Sequence, residues 1–145
     1  MRRLPLVLPW QQVFRDGVAP QLSDRDLAAL LAGLTGNDPE LIQSATVKPF
    51  PSPENANLPP RGACLIGYAL WHGQPIDWTV GELECGFAAV VGECDKRLGH
   101  PASIRPLTNY WDETPRHRAR KALTREVRYE LDRRRYPPIR PMRRA

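Results

Sequence analysis

The chain has 145 residues, 41% hydrophobic and 26% charged, with a formal charge of +5. That is the length of one domain, able to bury roughly two-thirds of its unfolded surface in a core without covalent staples. Three cysteines make no disulfide framework, and no apolar run approaches the ~20 residues that a membrane span needs.

Pro5 and Pro9 cut the apolar start MRRLPLVLPW to a few residues, so no secretory signal is expected. A reduced, cytoplasmic protein is the simplest expectation. The sixteen prolines are about twice the usual share and read as stiff connections between short helices. Residues 1–9 read as an extended arm, and Trp10 to Arg15 as a helical turn ending at Gly17. Ser23 and Asp26 stand in capping-box positions ahead of Leu27, Leu30, Leu31 and Leu34. Their i, i+3, i+4, i+7 spacing predicts an amphipathic helix, stopped by Gly36-Asn37. Asp38-Pro39 predicts a second short helix carrying Leu41 and Ile42.

Residues 47–62, VKPFPSPENANLPPRG, form a Pro-rich loop. It is expected either to dock on a partner or to cover the core, anchored by Phe50 and Leu58. Residues 63–72, ACLIGYALWH, are apolar almost all round and predict a buried central helix. Thr79 and Glu82 form a second capping box, and Gly99 closes that helix. Its stripe is Val80, Leu83, Phe87, Val90, Cys94 and Leu98. The small residues Gly81, Cys85, Ala88, Ala89 and Gly92 opposite predict packing on two sides, at the centre of a bundle. Thr114-Pro115 reads as N-cap and first residue of a last helix reaching Arg135. Ala119, Leu123, Val127 and Leu131 are its inward ridge. Pro137, Pro138 and Pro141 forbid helix beyond. The expected architecture is all-α: a compact bundle of four or five short helices in one domain, residues 1–135, with an extended Pro/Arg-rich tail, 136–145.

Catalytic and metal signatures are weak. No C-x2-C or H-x3-H spacing joins Cys64, Cys85, Cys94, His72 and His100. Cys85 and Cys94 fall on opposite faces of one helix, and Cys94 reads as core. No metal or cofactor is expected. His72 reads as a C-terminal helix cap. Glu82 is a cap, and Glu84 and Asp95 a solvated edge. No phosphate loop, G-x-S-x-G or H-E-x-x-H occurs. Tyr110 and Trp111, beside Asp112 and Glu113, are either an interface or the capped end of the bundle.

The charge distribution is the strongest signal. Residues 115–145 carry twelve basic and three acidic side chains, a net +9, against −4 for residues 1–114. On a helical wheel with Ala119 at zero, His117, Arg118, Lys121, Arg125 and Arg128 fall at about 160–260°. They share one outward face, which suits a phosphate backbone. Asp132 lies on the same face, in reach of Arg128, and Glu130 is placed to pair with Arg134. Arg133, Arg134, Arg135, Arg140, Arg143 and Arg144 extend the charge. Eighteen of the 21 basic residues are arginine, so a G+C-rich genome is a competing explanation.

The expected function is that of a non-enzymatic accessory protein, a subunit of a larger assembly. Its basic helix and tail would contact DNA or RNA phosphates without sequence specificity. Docking on an acidic protein is one alternative. A small enzyme with a site near Cys64, Tyr110, Trp111 and Asp112 is the other.

Overall fold

In the computed structural model, residues 8–135 are described; residues 1–7 and 136–145 lie outside them, so the expected N-terminal arm and C-terminal tail are not covered. The described part is mostly helical, with one two-stranded sheet. No helix in it is long and apolar enough to cross a membrane.

Capping fixes the helices best marked in the sequence. Helix α2 spans Asp24–Gly36. Ser23 Oγ accepts from Asp26 N–H, and the Asp26 carboxylate accepts from Ser23 N–H. Asn37, left-handed at φ 50°, closes it. Helix α4, Val80–Leu98, repeats the device with Thr79 and Glu82 and closes on left-handed Gly99. Between them lies helix α3, Leu65–Gly73, with Leu65, Ile66, Tyr68, Ala69 and Leu70 buried.

Helices α2 and α3 pack closely and antiparallel, because small residues let them. A Cβ on Gly33, near the end of α2, would lie 2.4 Å from the Tyr68 ring. A Cβ on Gly73, at the end of α3, would lie 2.5 Å from Asp26 Cα and 2.8 Å from Asp26 N, at the start of α2. Backbone cannot give way as a side-chain tip can. Gly73→Ala is therefore expected to cost about 3 kcal/mol, measurable as a lowered urea midpoint with an unchanged m-value.

Several sequence expectations are corrected. The turn expected at Trp10–Arg15 runs on: α1, Trp10–Gln12, continues as a wide π-helical segment, Val13–Val18, and a 3-10 turn, Ala19–Gln21. Gly17 does not stop it. A Cβ there would meet Cys94 Sγ at 2.5 Å, so this glycine lets the segment press onto α4. Val13, Phe14, Val18 and Ala19 are core residues. No helix follows Asp38. Its carboxylate accepts from Glu40 N–H at 2.9 Å, and Leu41 N–H donates to Asp38 O at 3.0 Å, a turn that outcompetes helix. Leu41 then bridges to Ala63.

The Pro-rich loop opens with β1, Val47–Lys48, paired antiparallel to β2, Gly62–Ala63. Phe50 and Leu58 do not anchor it; both are exposed. Backbone bonds do so instead, from Val80 N–H to Leu58 O and Gly81 N–H to Ala56 O. Beyond Gly81, which meets Ala56, helix α4 is packed on one side only. Cys85, Ala88, Ala89 and Gly92 face solvent, and α2, lying between α3 and the last helix, takes the central place instead. Asp95 is not a solvated edge: its carboxylate accepts from Ser103 N–H and Oγ–H at 2.9 and 2.6 Å, and those bonds hold it below the usual carboxylate range.

Residues 101–113, in which the sequence predicts no helix, contain α5, Arg105–Glu113, with Pro106 in its first turn. The last helix, α6, is Arg116–Arg135. Pro115 precedes it as the residue whose carbonyl accepts from Arg118 and Ala119 N–H. Ala119, Leu123 and Val127 are buried, as the ridge predicted, and Leu131 is half-buried.

Candidate nucleic-acid interface

Helix α6 sorts its cations by angle. Arg116, Arg120 and Arg134 lie at about 60–100° on the wheel, beside the ridge, and Arg133 at about 320°. These four are spent on the fold. Arg120 donates to Leu34 O and Thr35 O at 2.7 and 3.2 Å. Arg116 donates to Asn37 Oδ1 and Asp38 O at 2.7 and 2.9 Å. Arg120 thus satisfies two orphan carbonyls at the C-terminus of α2, where cations also meet the helix dipole favourably, and Arg116 holds the turn that follows.

At the other end, Glu130 is 2% exposed and accepts from Arg133 and Arg134. Arg134 also reaches Asp24 and Ala19 O. Burial pushes the Glu130 carboxyl up, but the two arginines outweigh it and hold it below the usual range. One turn earlier, Glu126 takes two hydrogen bonds from Arg15, at 2.6 and 3.0 Å. This clamps the π-helical segment onto α6. Arg15 also lies over the Tyr129 ring, 4.6 Å from its centroid.

The outward face is different. His117, Arg118, Lys121, Arg125, Arg128 and Arg135 are all exposed. Among the described residues none of them has an ion-pair partner. The expected Arg128–Asp132 pair does not form, whereas Glu130–Arg134 does. The face runs ~27 Å from His117 to Arg135, at 1.5 Å per residue. Beside it a shallow groove of about 280 Å³ separates Leu34 and Thr35 of α2 from His117, Lys121, Arg125 and Arg128. Arg120 and Thr124, neither of them among the contact residues expected from the sequence, also line it. Their wheel angles, near the ridge, were the available signal. Arg140, Arg143 and Arg144 lie outside the described residues.

Tyr110 and Trp111 part company. Tyr110 stacks on Trp10, centroids 4.2 Å apart and planes 12° apart. Trp111 is 1% exposed and donates from Nε1 to Ile42 O at 2.8 Å. Gln43 Nε2 donates back to Trp111 O and Thr114 O, closing the end of α5. Asp112 accepts from Ser44 N–H.

Cys64, Trp111 and Asp112 do line one cavity, of about 290 Å³, together with Ser44, Thr46 and Phe87; Tyr110 is not part of it. Burial pushes the Cys64 thiol up to about 11, so at neutral pH it is a thiol and not the thiolate that nucleophilic chemistry needs.

No protein-family model matches the chain, and no curated protein or solved structure matches it either.

Proposed function

We propose that this is a non-enzymatic accessory protein that binds nucleic acid through the outward face of α6, within a larger assembly. The observation that carries the reading is the division of labour along α6. Four of its basic residues serve the fold, while Arg118, Lys121, Arg125 and Arg128 stand exposed on one side without acidic partners among the described residues. Asp132 is the one acid of α6 on that face, and none of the four cations pairs with it. A row of them with one charge every three or four residues follows a phosphate backbone. The opposite flank of α6 is committed to the core, which suits lateral contact with phosphates rather than insertion of the whole helix into a groove. Little sequence specificity follows. Arg140, Arg143 and Arg144 would add their charge to the same contact. The neutral Cys64 thiol weighs against an enzyme that uses it as nucleophile.

The test compares two variants with equal charge loss. Arg118→Gln/Lys121→Gln/Arg125→Gln/Arg128→Gln removes the face. Arg25→Gln/Arg61→Gln/Lys96→Gln/Arg105→Gln removes exposed cations elsewhere. Fluorescence anisotropy with mixed-sequence duplex DNA and single-stranded RNA is expected to show roughly 100-fold weaker binding for the first and a several-fold effect for the second. Equal losses would make the interaction one of net charge alone. No binding of either nucleic acid would turn the face into a docking site for an acidic protein.

A further inference from the structure

Just past the end of α2, three side chains of metal-ligating type converge. Asp38 and Glu40 come from the turn after α2, and His72 from the last turn of α3. One ligand atom from each lies within 4.8 Å of the other two. His72 Nε2 and a Glu40 carboxylate oxygen are 3.5 Å apart. A tetrahedral ion with bonds of 2.0–2.1 Å holds its ligand atoms roughly 3.3 Å apart, so that pair already stands at the required separation.

The three groups are oriented from behind. Tyr68 Oη–H donates to Asp38 Oδ2 at 2.6 Å, and Glu40 N–H donates to Asp38 Oδ1 at 2.9 Å. Each carboxylate oxygen has a second lone pair left for an ion. Donors of this kind aim ligand carboxylates in metal sites. The Glu40 backbone is pinned by the bond from Ala63 N–H to Glu40 O. The His72 ring packs against Tyr68 and Trp71, at centroid distances of 4.4 and 4.2 Å. Tyr68 and His72 are one helical turn apart on α3, so one face of that helix supplies both the ligand and the group that orients Asp38.

We propose that Asp38, Glu40 and His72 bind a divalent transition-metal ion, of which Zn²⁺ is the representative. One imidazole nitrogen and two carboxylate oxygens suit such an ion, and the absence of thiolate favours this class over Cu(I). Three protein ligands leave a coordination position open on the solvent side. The opposing charge is Arg116, whose guanidinium is held on Asp38 O and Asn37 rather than on the Asp38 carboxylate. Two carboxylates against that one cation leave the site net negative. The ion would tie the C-terminal turn of α2 to the end of α3. The proposal is independent of the nucleic-acid reading.

The test is calorimetric titration of ZnCl₂ into full-length, chelator-stripped protein, with Trp71 beside the site offering a fluorescence readout. His72→Gln and Glu40→Gln change partly exposed side chains and leave the fold intact by circular dichroism. Wild type is expected to bind about one ion per chain, and each variant to bind about tenfold more weakly or worse. Binding of Zn²⁺ should also raise the melting temperature of wild type and not of the variants. No binding, or binding that both variants retain unchanged, as an ion at Cys85 or His117 would give, overturns the proposal.

Discussion

Trp111→Ala is expected to be the most damaging single substitution in the described chain. The indole is the largest fully buried side chain. Truncating it opens a cavity in a close-packed interior, which costs about 3–5 kcal/mol for a buried tryptophan. It also leaves Ile42 O without its donor. That carbonyl belongs to the segment joining α2 to β1, and Gln43 beside it holds the last carbonyls of α5. The loss therefore loosens two elements together. For a protein of this size a lowering of the melting temperature by about 10–15 °C follows. Trp111→Phe keeps most of the packing and should recover over half of that loss. Equal destabilisation by both would place the energy in the Nε1 hydrogen bond rather than in packing.

Glu130→Ala comes next. Its carboxylate is nearly inaccessible and accepts three hydrogen bonds from Arg133 and Arg134. Removing the acceptor takes one of three partners from Arg134, whose side chain is 23% exposed, and leaves it on Asp24 and Ala19 O. Breaking a fully buried pair costs about 3–5 kcal/mol, and the partial exposure of both arginines brings the expected loss to about 2–3 kcal/mol. The same group gives stability a pH dependence. Its carboxyl sits below its ordinary value in the folded chain, as do those of Asp38 and Asp95. In each case the unfolded state binds protons more readily, so the contribution is complete above the unfolded value. It is lost as pH falls through the folded value. Melting temperature should hold steady near neutral pH and drop below about pH 4.5, with a shallower drop in Glu130→Gln. A melting temperature that rose on acidification would contradict the assignment.

The helices that were legible in the sequence carry their own boundaries. Ser23–Asp26 and Thr79–Glu82 cap, Asn37 and Gly99 stop, and the leucine spacing names the buried face. Segments set by tertiary contact were not legible. Gly17 reads locally as a stop, but its role is to admit Cys94. Asp38-Pro39 reads as a helix start, but Tyr68, thirty residues away, takes the Asp38 carboxylate. The small residues of α4 read as a second packing face, and nothing among the described residues covers Gly92. Helix α5 was hidden because its core contribution rests on Leu107 and Trp111 alone.

For the basic helix, the wheel placed the outward residues correctly, since angle on a helix needs no knowledge of the partner. It also gave the Glu130–Arg134 pair, but not the reach of Arg134 to Asp24 and Ala19 O, nor that Arg116 and Arg120 serve the end of α2 and the turn after it. Those roles depend on which helix lies alongside. The convergence of Asp38, Glu40 and His72 was hidden for the same reason: it depends on the chain after α2 lying beside α3, where Glu40 meets His72.

The claim that α6 meets phosphates is tested most directly by the salt dependence of nucleic-acid affinity, measured on the intact chain and on Arg118→Gln/Lys121→Gln/Arg125→Gln/Arg128→Gln. Each neutralised phosphate of duplex DNA contributes a slope of about −0.9 in log K against log salt. A steep slope is expected for the intact chain and one shallower by roughly 3 to 4 units in the variant. Slopes that agree within one unit would mean that these four side chains do not touch phosphate, and would contradict the claim.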